Sequence, residues 1–226
     1  MKNSPANAVD TAYAQLRDRL VTFAVKPGER MNESELATDL AMSRAPIREA
    51  LNRLIADGLV SFEPGRGFFA RRLSVSEMAD LYAVRLDLET GALRRVLKSA
   101  ETARLEEFAA KWRSRLAEAE GTDLDALVAA DEAFHLDLAA IDGNAPRLKM
   151  LQNVNDRIRY VRRVNLETDA RRKSSFDEHA RLIDAIVARQ AEQAAATLAT
   201  HLEQSADEMK LQVQSALARI YADEVA

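Results

Sequence analysis

The chain has 226 residues, 47% of them hydrophobic and 30% charged, with seven glycines, five prolines and no cysteine. That length buries one large core or two modest ones, and the composition excludes a disordered chain, a disulfide-stapled secreted fold and a membrane-spanning helix. The formal charge of −4 is uneven: residues 1–72 carry eleven Lys and Arg against nine Asp and Glu, and the remainder twenty-one against twenty-seven, so any DNA contact belongs to the first third and needs particular arginines rather than bulk attraction.

The opening segment Met1-Lys2-Asn3-Ser4-Pro5-Ala6-Asn7 has no apolar core of signal-peptide length, which points to a cytoplasmic protein. Apolar residues then recur at Ala12, Leu16, Leu20 and Phe23, predicting a helix over residues 9–23 that ends before Lys26-Pro27-Gly28. Asn32, followed by Glu33 and Glu35, is an amide cap with two acids in the first turn of a short second helix. Ser43 can cap a third helix that tolerates Pro46 in its first turn and runs to about Asp57. Ile47, Leu51, Leu54 and Ile55 form its inward stripe, which pushes Arg44 and Arg48 outward. Arg53, four residues after Glu49, fits a surface ion pair with it.

Residues 59–62 and 68–71 flank the turn Pro64-Gly65-Arg66-Gly67 and read as a β-hairpin. Three helices and a hairpin make a winged helix-turn-helix, whose second motif helix enters the major groove with its N-terminal end foremost. Arg44 and Arg48 stand there, each able to bond guanine O6 and N7, while Arg66 at the wing tip suits a minor groove or a phosphate. A solvated helix face is the bland alternative for two arginines at this spacing, and the order of helix, turn, capped basic helix and Gly-rich wing tells against it. The segment resembles the GntR family of bacterial transcription regulators through Lys26-Pro27-Gly28-Glu29-Arg30, Glu33-Ser34-Glu35-Leu36-Ala37, Ser43-Arg44-Ala45-Pro46-Ile47-Arg48-Glu49-Ala50-Leu51 and Asp57-Gly58-Leu59-Val60. The resemblance implies a homodimer on a short inverted repeat of double-stranded DNA. Ser43, Arg44 and Arg48 at the head of the reading helix, with Gly65 and Arg66 at the wing tip, would form the interface. Ser34, where some relatives carry a further arginine, marks a contact that is weaker or differently specified here.

Beyond Arg72 every long segment reads as helix. It opens with a capping box, Ser74 to Glu77, and an inward stripe of Met78, Leu81, Val84, Leu88 and Leu93. Breaks near residues 100–101, 121–122, 142–144, 168–174 and 190 leave about six helices. The expected architecture is therefore mainly α: a winged helix-turn-helix over residues 1–72 with a small β-hairpin wing, then an all-α bundle over 73–226.

The chain's three histidines, His135, His179 and His201, all fall in that bundle. Asp131 and His135 are four apart and share a helix face, so with His179 and His201 from two further helices they could converge on one metal ion. A buried histidine taken alone is more often a hydrogen-bonded core residue. With carboxylate and imidazole donors and no thiol, a divalent ion is expected, zinc first, with nickel, manganese and iron chemically acceptable. Arg157, Arg159, Arg162 and Arg163 form a basic run on a helix whose stripe of Leu151, Val154, Ile158 and Val161 packs ordinarily, although one of them could line a pocket.

Asp131-x-x-x-His135, Glu178-His179 and His201-Leu202 resemble the ligand-bearing motifs of the FCD effector domain, found in the FadR subfamily of GntR regulators. What the resemblance implies is a metal held by Asp131, His135, His179 and His201, with open positions that face a cavity and take a small anionic metabolite such as a carboxylate. It also places Arg85 where relatives carry a carboxylate anchor, although an ion pair with Glu89, four residues on, is an equal reading. Ala191-Glu192 departs from the Gly-Asp of many relatives without touching a ligand. The leading expectation is a metabolite-controlled transcription factor, in the first instance a repressor. The rivals are a metal-dependent hydrolase and a regulator with a purely structural metal. Glu132 and Glu178, adjacent in sequence to ligands, should point off the ligand faces and leave the metal without a general base, which disfavours the hydrolase.

Overall fold

The structure, a computed structural model, describes residues 5–118 and 122–222. The chain divides into two compact units, Met1–Leu73 and Ser74–Ala226.

In the first unit, helix α1 (Pro5–Val21) buries Ala12, Leu16 and Leu20. It stops two residues short of the sequence expectation, because Phe23 adopts a left-handed φ of 57° that ends the helix. Helix α2 (Glu33–Asp39) starts at Asn32, whose side chain accepts from the Ser34 amide. Helix α3 (Arg44–Ala56) buries Ile47, Leu51 and Leu54 against Leu16 and Leu20 of α1, and Gly58 follows with φ 76°. The expected hairpin forms from β2 (Val60–Glu63) and β3 (Gly67–Ala70). A two-residue strand that periodicity could not show, β1 (Arg30–Met31), adds to the other side of β3, giving the antiparallel order β1-β3-β2 with Met31 opposite Phe68. Met31 and Phe68 both enter the core, so the extra strand ties the α1 to α2 connection to the wing.

The second unit contains, among the described residues, helices α4 (Val75–Ser99), α5 (Thr102–Ala117), α6 (Leu124–Ile141), α7 (Ala145–Asn165), α8 (Asp169–Val187) and α9 (Ala191–Ala222). Four of them start on side-chain caps: Ser74 accepts from the Glu77 amide, Asp123 from Asp125 and Ala126, Asn144 from Arg147 and Thr168 from Arg171. The Thr168 cap corrects the expected break at 168–174, since that stretch is the opening of α8 rather than a loop. Gly121 lies outside the described residues. At the end of α8, Arg189 takes a φ of 53° and donates to the carbonyls of Leu97 and Ala100, which tethers the α8 to α9 turn to the end of α4.

A second correction concerns the buried face of α4. Val84 is 46% exposed, whereas Arg85 and Glu89 are both 2% exposed. Met78, Leu81 and Leu93 of the expected stripe are buried, but the core is polar where α4 meets α6 and α7, so Arg85 and Glu89 rather than Val84 occupy the middle of the buried face. Apolar packing resumes further along, where Leu93, Val96, Phe108, Trp112, Phe134, Leu138, Leu182 and Leu198 form one cluster. No helix among the described residues is long and apolar enough to cross a membrane.

Candidate nucleic-acid interface and metal centre

Ser43 is the N-terminal cap position of α3 and is exposed, but its hydroxyl makes no capping hydrogen bond. Arg44 follows at the first helical position and faces solvent. Arg48 also lies on the outer face, as the helical stripe predicts, and is paired there: its Nε donates to Glu33 Oε1 at 2.6 Å and its Nη2 to Oε2 at 3.2 Å. Those bonds hold the Glu33 carboxyl below its ordinary range. Arg53 pairs with Asp10 of α1 at 2.7 Å, not with Glu49, and its guanidinium lies over the Tyr13 ring. Tertiary packing of α1 on α3 supplies a better-placed acid than the helix itself does.

At the wing, Gly65 has φ 76° and Gly67 φ 98°, conformations that a side chain would strain, and a Cβ at Gly65 would meet nothing within 4 Å. Arg66 pairs with Glu63 and lies 5.0 Å from the centre of the Phe69 ring, exposed at the tip. A hollow of about 250 Å³ beside it is lined by Ser61, Glu63, Arg66, Phe69, Arg71 and Arg72.

In the second unit α6 contributes Asp131 and His135, α8 contributes His179 and α9 contributes His201. One ligand atom from each lies within 4.8 Å of all the others, and the four residues are between 1% and 8% exposed. The Nε2 atoms of His135 and His201 are 3.3 Å apart, and His179 Nε2 is 3.7 Å from Asp131 Oδ1. Two donors bound to one first-row ion at about 2.1 Å stand roughly 3 to 4 Å from each other, which is the range of these pairs. His179 Nε2 is buried with no hydrogen-bond partner, an arrangement costly for a core histidine and natural for a ligand. His179 is set by α8 and by Phe134, whose ring stacks on it at 4.1 Å and 21°.

The electrostatics suit a cation. Burial, with Arg85 nearby, pushes the His135 imidazole well below its ordinary value, and burial does the same to His179, so both rings are neutral at pH 7 and present a lone pair. Burial opposes ionisation of Asp131, but the Arg162 guanidinium alongside outweighs it and holds the carboxyl well below the usual range. Arg162 Nε lies 3.3 Å from Asp131 Oδ2, and Ser175 Oγ donates to Oδ1 at 3.5 Å. Of the basic run on α7, Arg162 alone is buried, at 4% exposure; Arg157, Arg159 and Arg163 pair outward with Glu77, Glu132 and Asp125.

The structure corrects the expectation for Glu178. Although adjacent to His179, it reaches across to α9, where its Oε2 lies 2.6 Å from His201 Nδ1. Burial works against its ionisation, but bonds from His201 and Ser174 with Arg171 alongside bring its carboxyl down to about 2. Glu89 does the same for His135 Nδ1, also at 2.6 Å, while its other oxygen accepts from Arg85 Nε at 2.7 Å. The pairing of Arg85 with Glu89 is thus formed, and Arg85 Nη2 is left buried without a hydrogen-bond partner. Both carboxylates touch the far side of their imidazoles and take no position as a general base. Reasoning along single helices missed them because each contact spans two helices. Glu132, the other flanking acid, faces Arg159 and Arg162.

Comparison with known proteins places each unit. Residues 8–70 match the family described as bacterial regulatory proteins, gntR family, and residues 80–204 match the FCD domain. Over 206 residues the chain is 32% identical to the Nta operon transcriptional regulator of Aminobacter aminovorans, covering 89% of this chain and 94% of that one. The transcriptional repressor RspR of Escherichia coli is 25% identical over 152 residues, 66% of this chain and 67% of its own. Among solved structures, a transcriptional regulator from Rhodococcus sp. RHA1 superposes with a TM-score of 0.71 at 25% identity, over 89% of this chain and 96% of that one. McbR/YncC of E. coli, at 21% identity and a TM-score of 0.72 over 94% of this chain and 99% of its own, shares the fold.

Proposed function

Since the chain belongs to the GntR family of bacterial transcription regulators and carries an FCD domain, it is a DNA-binding regulator rather than an enzyme, and we propose that it is a metal-dependent sensor of a small anionic metabolite. Residues 1–72 read a short inverted repeat as part of a cytoplasmic homodimer, with Ser43, Arg44, Arg48, Gly65 and Arg66 at the interface. Residues 73–226 hold a divalent ion, zinc before nickel, manganese or iron, on Asp131, His135, His179 and His201. When bound, that ion supplies a fixed positive charge able to take an anionic oxygen.

The observation that carries this reading is the pair of buried guanidiniums beside the metal group. Arg85 Nη2 and Arg162 Nε and Nη1 lack hydrogen-bond partners, and the two side chains repel each other. Arg85 is ion-paired with Glu89, and Arg162 with Asp131 and Glu132, but buried donors left without a hydrogen bond are costly, and a bound carboxylate satisfies them with charge-assisted bonds. Arg85 and Arg162 therefore anchor the metabolite, and its binding shifts operator affinity by the linkage between the two sites, typically about 5 to 150-fold. A repressor released by its metabolite is the direction we adopt, in keeping with the name of the transcriptional repressor RspR.

One observation favours a second reading, a purely structural ion: all four donors are nearly closed to solvent. The two separate cleanly. Operator duplexes selected from a random pool are titrated with the protein, with and without a chelator, across a panel of small mono- and dicarboxylates. A sensor gives a carboxylate that changes affinity only when metal is present, and His179→Ala lowers the metal content found by elemental analysis and removes the response. A carboxylate response that survives complete metal removal contradicts the sensing role of the ion.

A further inference from the structure

Glu89 and Glu178 lie outside the four-donor set, yet each touches one of its imidazoles. Their oxygens stand 2.6 Å from His135 Nδ1 and His201 Nδ1 respectively. A carboxylate accepts, so Nδ1 is the protonated nitrogen in both rings and Nε2 is left with its lone pair. Those two Nε2 atoms face each other at 3.3 Å. Opposed lone pairs at that distance repel, and a cation between them turns the repulsion into two bonds.

We infer that Glu89 and Glu178 are positioning residues of the metal centre, which lock His135 and His201 as Nδ1–H tautomers so that their Nε2 donors converge. The inference rests on the metal reading given above. Each carboxylate is itself braced: Glu89 by Arg85 Nε at 2.7 Å, Glu178 by Ser174 Oγ at 2.7 Å and Arg171 Nη1 at 3.2 Å. Glu89 and Glu178 are 2% and 4% exposed, so water cannot take over their role. Because a carboxylate on the outer nitrogen also makes the inner one more basic, each contributes to affinity as well as to aim. The two braces differ in kind. Glu89 joins a metal ligand to Arg85, the proposed metabolite anchor, whereas Glu178 joins one to α8 alone.

The test uses the full-length protein and zinc alone, with affinity measured by competition against a chromophoric chelator. Glu89→Gln and Glu178→Gln should each weaken zinc binding by roughly 10 to 100-fold, the usual cost of losing such a partner. Glu77→Gln, which alters a carboxylate paired with Arg157 outside the cluster, should leave it unchanged. In metal-free wild type, long-range proton–nitrogen correlation spectra should show His135 and His201 protonated at Nδ1. Wild-type zinc affinity in both Gln variants, or Nε2–H tautomers in the wild type, overturns this inference while the metal reading stands. Failure of the wild type to take up zinc overturns the metal reading and this inference with it. Should a variant not fold, the wild-type spectrum decides.

Discussion

Burial fixes the protonation of the histidine cluster before any ligand arrives, and that makes the protein sensitive to acid in a defined way. His135 and His179 are held well below the ordinary imidazole value of about 6.5, so the native state refuses protons that the unfolded chain accepts. Stability must then fall as pH drops below about 6.5, by roughly 1.4 kcal/mol per pH unit for each such histidine until its native value is reached. Asp131 and Glu178 are also shifted down, below the usual carboxylate range, so the stability they contribute is complete above about pH 4 and is lost on further acidification. Urea unfolding of metal-free protein, followed by circular dichroism between pH 8 and 3, should show these two successive declines. A flat profile from pH 7.5 to 5 would show that the imidazoles are not buried in neutral form.

At the scale of elements, α3 and α6 each combine core packing with a proposed functional role. Helix α3 buries Ile47, Leu51 and Leu54 and offers Arg44 and Arg48 to solvent, with Glu33 of α2 holding Arg48. Arg44→Ala and Arg48→Ala should each weaken operator binding about tenfold or more in a gel-shift titration, since each removes a guanidinium proposed to read a base. Glu33→Gln frees Arg48 and removes a negative charge from the approach of the phosphates, so operator binding should tighten at low salt. Weaker binding instead would mean that Glu33 aims Arg48. Helix α6 carries two donors on one side and, next to them, Phe134, fully buried against Trp112 and Phe108 and stacked on His179. Phe134→Ala should cost about 3 to 5 kcal/mol in denaturant unfolding, as large aromatic truncations do, and should weaken metal binding by loosening His179. The helices, the hairpin and the Asp131-to-His135 spacing were legible in the sequence because capping residues and the 3.6-residue period act locally. Strand β1 was not, being two residues long and defined by its partner β3. Nor was the middle of the inward face of α4, where Arg85 and Glu89 stand in place of Val84 between the buried Leu81 and Leu93. Glu89, Glu178 and Arg162 declare their roles only through contacts between helices, and no spacing along one helix encodes those.

For the whole molecule, each unit has its own core, and the metal group lies wholly in the second. Metal that binds only the native state stabilises by mass action, about 4 kcal/mol at a concentration a thousandfold above its dissociation constant. If residues 74–226 hold the ion as proposed, chelation should therefore lower the stability of that unit while sparing residues 1–73. Hydrogen exchange should show amides of α6, α8 and α9 losing protection and those of α3 keeping it; equal loss in both units would mean that they unfold as one. The same arrangement gives the protein an internal lamp. The sequence contains a single tryptophan, Trp112, whose ring edge meets Phe134 at 5.4 Å, and Phe134 in turn stacks on His179. All indole emission from the chain thus originates two aromatic rings from His179, a proposed metal donor. An ion that draws His179 inward alters the surroundings of that one fluorophore, and occupancy can be followed optically in unlabelled protein.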